Sequence, residues 1–182
     1  MKKVALLGDS IRMIGYGTLL PELLKDEYAV WQTEENNQHC KTTQRVLIDY
    51  QSDLADADII HWNNGLWDTY DFFGEPFTEV DVYVNTMVRI ARQLKKFTDK
   101  VIFATTTPVR TEHPCEDNDT IRAYNAAVVP ALQAEGIVIN DLNAVVSADV
   151  YGLIGEDNIH LNEQGIRVCA EQVAKAIRKI DQ

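Results

Sequence analysis

Five short apolar runs, separated by longer segments of helical periodicity, constrain this chain more than any other feature of its sequence. The runs are Lys3–Leu7, Ala29–Thr33, Asp58–Trp62, Val101–Thr105 and Ile137–Asn140, each bounded by Gly, Asp, Asn or a charge cluster. Between them, Glu79–Lys96 repeats apolar residues at helical spacing through Val80, Tyr83, Val84, Met87, Ala91 and Leu94. Arg92, Lys95 and Lys96 gather at its C-terminal end, where the helix dipole favours cations. The segment from Glu163 repeats the pattern with Ile166, Cys169, Ala170, Val173, Ile177 and Ile180, with Asn162 as its expected N-cap. Thr120–Gln133 also reads as helix, with a kink expected at Pro130. Strand and helix in alternation predict an α/β fold: a doubly wound, five-stranded parallel sheet with helices on both faces. No repeat, low-complexity tract or linker interrupts the pattern, so residues 1–182 read as a single domain.

Composition narrows the partners. Apolar residues make up 46% of the 182 and charged residues 25%, the balance of an ordinary globule, and such a chain is long enough to bury a full core. The formal net charge of −11 repels phosphate backbones and anionic membranes, which argues against nucleic acid as a partner. No apolar run is long enough to span a bilayer. Cys40, Cys115 and Cys169 are an odd set without CxxC spacing, which argues against a disulfide framework and against a metal site. Met1-Lys2-Lys3 leads into an apolar run that ends after four residues at Gly8, too short for a secretory segment, so the expected compartment is cytoplasmic.

In an open parallel sheet, ligands bind beyond the carboxyl ends of the strands. The residues there are Gly8-Asp9-Ser10 after the first strand, Glu34 to Cys40 after the second, Asn63-Asn64-Gly65 after the third and Thr105 to Pro108 after the fourth. Asp157-Asn-Ile-His160 lies just before the last helix. A serine, an asparagine, and a histidine with an aspartate three residues earlier are therefore assigned to one rim. Their types match the nucleophile, oxyanion donor, base and base-orienting group of an acyl-transfer site. Ser10 or Asp9 could instead only cap a helix. Cys40 reads as a small buried thiol, His61 as a core histidine, and His39 and His113 as loop residues.

These residues carry a resemblance. Gly8-Asp9-Ser10 at the end of the first strand, with Asp157-x-x-His160-Leu161 before the last helix, resembles the GDSL/SGNH hydrolases, esterases and acyl hydrolases on a flavodoxin-like sheet. The resemblance spans the chain from residue 3 to the final helix. It implies Ser10 as nucleophile, His160 as base and Asp157 as its partner. The family's asparagine block, usually Gly-x-Asn-Asp, corresponds to His61-Trp62-Asn63-Asn64 and implies Asn63 as an oxyanion donor. The glycine block departs from the pattern: Glu35-Asn36-Asn37-Gln38-His39 holds no glycine, and Asn37, which tolerates positive φ, is the expected replacement for its backbone N–H.

The expected reaction is hydrolysis of a short-chain acyl ester through an acyl-enzyme, with acetyl esters of carbohydrates as substrates and no cofactor. The oxyanion would meet the Ser10 N–H, the Asn37 N–H and the Asn63 amide. The stretch from Asn63 to Thr78 reads as a long loop without periodicity. Its aromatic residues could stack on a sugar, wall an acyl pocket or form a contact surface. Trp62, Trp67 and Asn64 are the expected substrate contacts. Two other classes stay open at this point. A nucleotide or flavin binder would need a Gly-rich phosphate loop where the chain has Gly8-Asp9-Ser10-Ile11-Arg12. A non-catalytic carbohydrate-binding protein would use the same fold without turnover. Oligomeric state, monomer or homodimer, is open.

Overall fold

A computed structural model describes all 182 residues, 1–182. Its five strands are β1 (Lys2–Leu7), β2 (Tyr28–Gln32), β3 (Ile59–Asn63), β4 (Val101–Ala104) and β5 (Val138–Asn140). They form one parallel sheet in the order β2-β1-β3-β4-β5. Strand order reverses between β1 and β3, and that switch point carries Ser10, in the loop after β1, and Asn63, the last residue of β3. Each strand lies within one residue of the expected bounds.

Connections between the strands are helical. After a π-helical turn (Ile11–Gly15) and a 3-10 turn (Tyr16–Thr18) come α1 (Leu20–Leu24), α2 (Cys40–Asp49), α3 (Gln51–Leu54) and α4 (Leu66–Thr69). The second half adds α5 (Val80–Leu94), α6 (Asn118–Ala134), α7 (Leu142–Ser147), α8 (Val150–Leu153) and α9 (Glu163–Ile180). Asn162 caps α9 as expected, its side chain accepting from the Gly165 N–H at 2.9 Å. The helix α6 continues through Pro130. None of the helices is long and apolar enough to cross a membrane.

Strand alternation splits the apolar residues into two cores, one on each face of the sheet. Val4, Leu6, Ile59, Ile102 and Ala104 face one way and pack against Cys169, Ala170, Val173 and Ile177 of α9. Ala5, Leu7, Ile60, Trp62, Val101 and Phe103 face the other and pack against α2, α5 and α6 through Leu47, Met87, Ile90 and Val128. With both faces covered, every residue of β3 and β4 is buried, and only the strand ends are left for chemistry.

The stretch from Asn63 to Thr78 is more ordered than its sequence suggests. It contains α4 and a turn closed by the antiparallel bridge between Asp71 and Pro76. The turn is pinned to the segment before α6 by the Asp71 N–H, which donates to the Cys115 carbonyl at 2.7 Å. Trp67 and Tyr70 begin this region near the sheet rim, while Phe72 and Phe73 pair with each other on its exposed far side.

Candidate active site

Ser10 follows the sharp turn at Gly8, whose φ of 149° places it in the region that favours glycine. A Cβ at Gly8 would lie 2.0 Å from Asn63 Oδ1, so the turn depends on the missing side chain as well as on the backbone angle. Asp9 caps the π-helical turn by accepting from the Ile11 N–H at 2.9 Å. Ser10 makes no side-chain capping bond there; its Oγ instead lies 2.9 Å from His160 Nε2.

His160 sits in a tight loop between α8 and α9. The Gly155 N–H donates to the His160 carbonyl at 2.7 Å, and the Asn158 N–H to the Gly155 carbonyl at 3.1 Å. Asn158 holds a left-handed conformation at φ 70°. Arg110 braces this loop by donating to the Tyr151 carbonyl at 3.1 Å and to the Ile154 carbonyl. Asp157 Oδ1 accepts from the Ile159 and His160 N–H groups, and Asp157 Oδ2 lies 2.7 Å from His160 Nδ1. Burial pushes the Asp157 carboxyl up, but the bonds from the His160 ring and from these two N–H groups outweigh it and hold its pKa below the ordinary value. The result is a continuous chain of hydrogen-bonded atoms from Asp157 through His160 to Ser10, assembled from residues 150 positions apart.

The loop after β2 is locked to the nucleophile turn by two devices. Asn37 forms a reciprocal pair with Gly8: the Asn37 N–H donates to the Gly8 carbonyl at 3.1 Å, and the Gly8 N–H donates to Asn37 Oδ1 at 2.6 Å. Arg12, buried, donates to the carbonyls of Gly8, Thr33 and Glu35 and to Thr33 Oγ1. The expected oxyanion role of Asn37 is therefore corrected: its N–H is spent on Gly8. The left-handed residue of this loop is Gln38, at φ 46°, and the Gln38 N–H donates to Asn36 Oδ1.

Asn63 is held beside the nucleophile turn by two bonds. Its Nδ2 donates to Asp9 Oδ1 at 2.6 Å, and its Oδ1 accepts from the Tyr16 hydroxyl at 2.9 Å. Burial raises the Asp9 carboxyl to about 6 against the lowering effect of this bond. Asn64 points to the opposite face, fully buried, and donates to the Gln38 carbonyl at 2.8 Å rather than to the pocket. Trp62 is likewise no substrate contact: it is fully buried in the α2/α5 core, tilted against Phe103 at 5.0 Å. Its parity with Ile60 on β3 sends the ring into that core.

A small apolar cavity of about 140 Å³ opens beside Ser10 and His160, walled by Leu66, Trp67, Tyr70, Ile159 and Glu116. Of the expected substrate contacts only Trp67 reaches it. His39, His61 and the Cys40 thiol take structural places. His39 caps α2 and stacks on Phe77 at 5.1 Å, and His61, its pKa lowered to about 3 by burial, meets Asn140 at 3.2 Å. Burial pushes the Cys40 thiol far up, which keeps it protonated and unreactive. No group of three or more His, Cys, Asp or Glu side chains is arranged to hold a metal ion.

Glu116 and Asp68 are two site-adjacent residues with no signature in the sequence. Asp68 is fully buried beneath α2 and accepts from the Cys40 N–H at 3.0 Å, and burial raises it to about 6. Glu116 lies among the other acids of residues 112–119, and nothing in the sequence separates it from Glu112, Asp117 or Asp119.

No protein-family model matches the chain, and no curated protein matches it by sequence. Solved structures do match its fold. The acetyl xylan esterase AlAXEase superposes with a TM-score of 0.80 at 21% identity, over 96% of this chain and 99% of that one. A lipase/acylhydrolase from Enterococcus faecalis gives 0.82 at 17% identity, over 98% and 96%. A GDSL-like lipase from Bacteroides thetaiotaomicron gives 0.72 at 18% identity, over 98% and 88%. The likeness shows the fold: the flavodoxin-like α/β sheet implied by the resemblance is the one observed.

Proposed function

We propose that this chain is a serine esterase of the GDSL/SGNH type, hydrolysing short-chain acyl esters, with acetyl esters of carbohydrates as the substrate class. The observation that carries the reading is the hydrogen-bonded series Asp157–His160–Ser10, at 2.7 Å and 2.9 Å. A serine hydroxyl is a weak nucleophile until a base takes its proton, and His160 Nε2 is within reach to do so. Asp157 fixes the imidazole tautomer from the other side and stabilises the imidazolium. Ser10 Oγ then attacks the ester carbonyl, and the tetrahedral oxyanion meets the Ser10 N–H. His160 returns its proton to the departing alcohol. Water, deprotonated in turn by His160, releases the acid and regenerates Ser10.

The neighbouring cavity supports short acyl groups. At about 140 Å³ it accommodates an acetyl or slightly longer chain, and its Leu66 and Ile159 walls are apolar. Acetyl xylan esterases among the structural neighbours favour a sugar as the alcohol half. The same reading takes residues 1–182 as one catalytic domain that uses no cofactor. A cytoplasmic location accords with three free cysteines, Cys40, Cys115 and Cys169.

The test is hydrolysis of p-nitrophenyl acetate, butyrate and octanoate. Turnover that falls with chain length and is abolished in Ser10→Ala supports the reading. An inactive wild type that still binds acetylated xylo-oligosaccharide would instead identify a non-catalytic sugar-binding protein.

A further inference from the structure

Glu116 is a buried carboxyl with half of its hydrogen-bonding capacity unused. It is 6% exposed, and its Oε2 accepts from the Thr69 hydroxyl at 2.9 Å. Its Oε1 is buried and has no hydrogen-bond partner within the chain. A polar atom left in this condition is costly, and native proteins keep few of them outside functional sites.

The position of this side chain gives the unused atom a context. Glu116 forms part of the wall of the apolar cavity beside Ser10 and His160, and also of a polar cleft of about 380 Å³. Asp71, Thr111, His113, Asp117 and Thr120 line that cleft. The apolar cavity suits the acyl group, so the adjoining polar cleft is where the alcohol half of the ester extends. Its volume holds a sugar ring, and its lining is hydroxyls, carboxylates and one imidazole. Burial first, then the nearby Asp9, Asp117 and Asp68 charges, raise Glu116 to about 8 against the bond from Thr69. At neutral pH it is then a neutral acid, able to donate and accept.

Resting on the esterase reading, we propose that Glu116 selects the alcohol half of the substrate, its carboxyl hydrogen-bonding a hydroxyl of a polyhydroxylated leaving alcohol where the acyl cavity meets the polar cleft. Glu116 binds the substrate and takes no part in proton transfer. An ester of a plain hydrocarbon alcohol offers that carboxyl no such partner and binds less well.

The test compares kcat/KM for a monoacetylated methyl xyloside, cyclohexyl acetate and p-nitrophenyl acetate. Wild type is expected to favour the xyloside over cyclohexyl acetate by about tenfold or more, the worth of one good hydrogen bond. In Glu116→Leu that preference collapses, mainly through KM for the xyloside, and Glu116→Gln restores it to within about threefold. A wild type without preference between the xyloside and cyclohexyl acetate overturns the assignment without needing any variant. A Glu116→Leu protein that loses activity equally on all three esters also overturns it, since that is the signature of a structural role. A wild type that hydrolyses none of the three overturns the esterase reading itself, and this one with it.

Discussion

The Asn63 amide donates to the Asp9 carboxylate at 2.6 Å, joining residues 54 positions apart immediately beside the nucleophile. Tyr16 closes the arrangement from the other side, its hydroxyl donating to Asn63 Oδ1. Asn63 thereby holds the turn that carries Ser10 against the end of β3. Asn63→Ala would leave Asp9 and Tyr16 buried without this partner, at a cost of about 1–3 kcal/mol. Urea unfolding should show that loss. Were the second Nδ2 hydrogen to serve the oxyanion as well, kcat would fall in addition by about 10²-fold or more.

The members of the Asp157–His160–Ser10 series should differ in weight. Ser10→Ala and His160→Ala remove the nucleophile and the base, and each is expected to lower kcat on p-nitrophenyl acetate by about 10³-fold or more. The Asp157 side chain is 53% exposed, so water can replace part of its support of the imidazole. Asp157→Asn should cost about 10- to 100-fold, less than the roughly 10⁴-fold loss at a buried triad aspartate. A loss as large as that of His160→Ala would mean that Asp157 is shielded from solvent in the working enzyme.

Two glycines hold the rim in shape and should not accept a side chain. A Cβ at Gly65, where φ is 151°, would lie 1.8 Å from Thr106 Oγ1, and one at Gly8 would strike Asn63. Gly65→Ala and Gly8→Ala are each expected to lower stability by about 2 kcal/mol or more, combining backbone strain with displaced hydrogen bonds. Gly74→Ala serves as the control, since its Cβ would meet nothing within 4 Å and only its φ of 90° is strained. Thermal unfolding of the three variants side by side would show whether the two rim glycines stand apart.

The raised Glu116 carboxyl makes stability depend on pH in a definite direction. Burial lifts it to about 8 from an ordinary 4.5, so between these values the folded chain holds a proton that the unfolded chain has released. The proton's contribution is present on the acid side and is lost as pH rises towards 8. Glu116→Gln keeps the shape and removes the titration. It should therefore gain on the wild type by up to about 1.4 kcal/mol per pH unit across that window. Asp9 and Asp68, raised to about 6, act in the same direction but are common to both proteins and cancel in the difference. Urea unfolding of both proteins at pH 5, 7 and 8.5 measures it. A difference that does not change with pH would show that Glu116 ionises normally in the fold.

Local signals were enough to read much of this molecule from the chain alone. The five apolar runs match β1 to β5 to within one residue, and most plainly at β3 and β4, because a parallel strand buried on both faces must be apolar along its length. The same property hid the side-chain directions. With both faces apolar, no alternation marks which way Trp62 points, and only packing against Phe103 shows that it belongs to the core. The helices α1 to α4, α7 and α8 escape the same reading: all but α2 are one or two turns long, and α2 begins inside the loop that carries Asn37.

Sequence by itself determined the strand order's raw material and the positions of Ser10, Asp157 and His160, because each lies in a short motif at a strand end or helix start. Only the tertiary structure decided the rest. That Asn37 holds Gly8 and Asn63 holds Asp9 depends on partners 29 and 54 residues away. Whether Glu116 is one more surface acid or a buried group beside Ser10 depends on Thr69 of α4 packing against it from 47 residues away. A hydrogen bond needs its two atoms within about 3 Å, and where the chain has to fold back to bring them there, no local pattern of residues records which pair will meet.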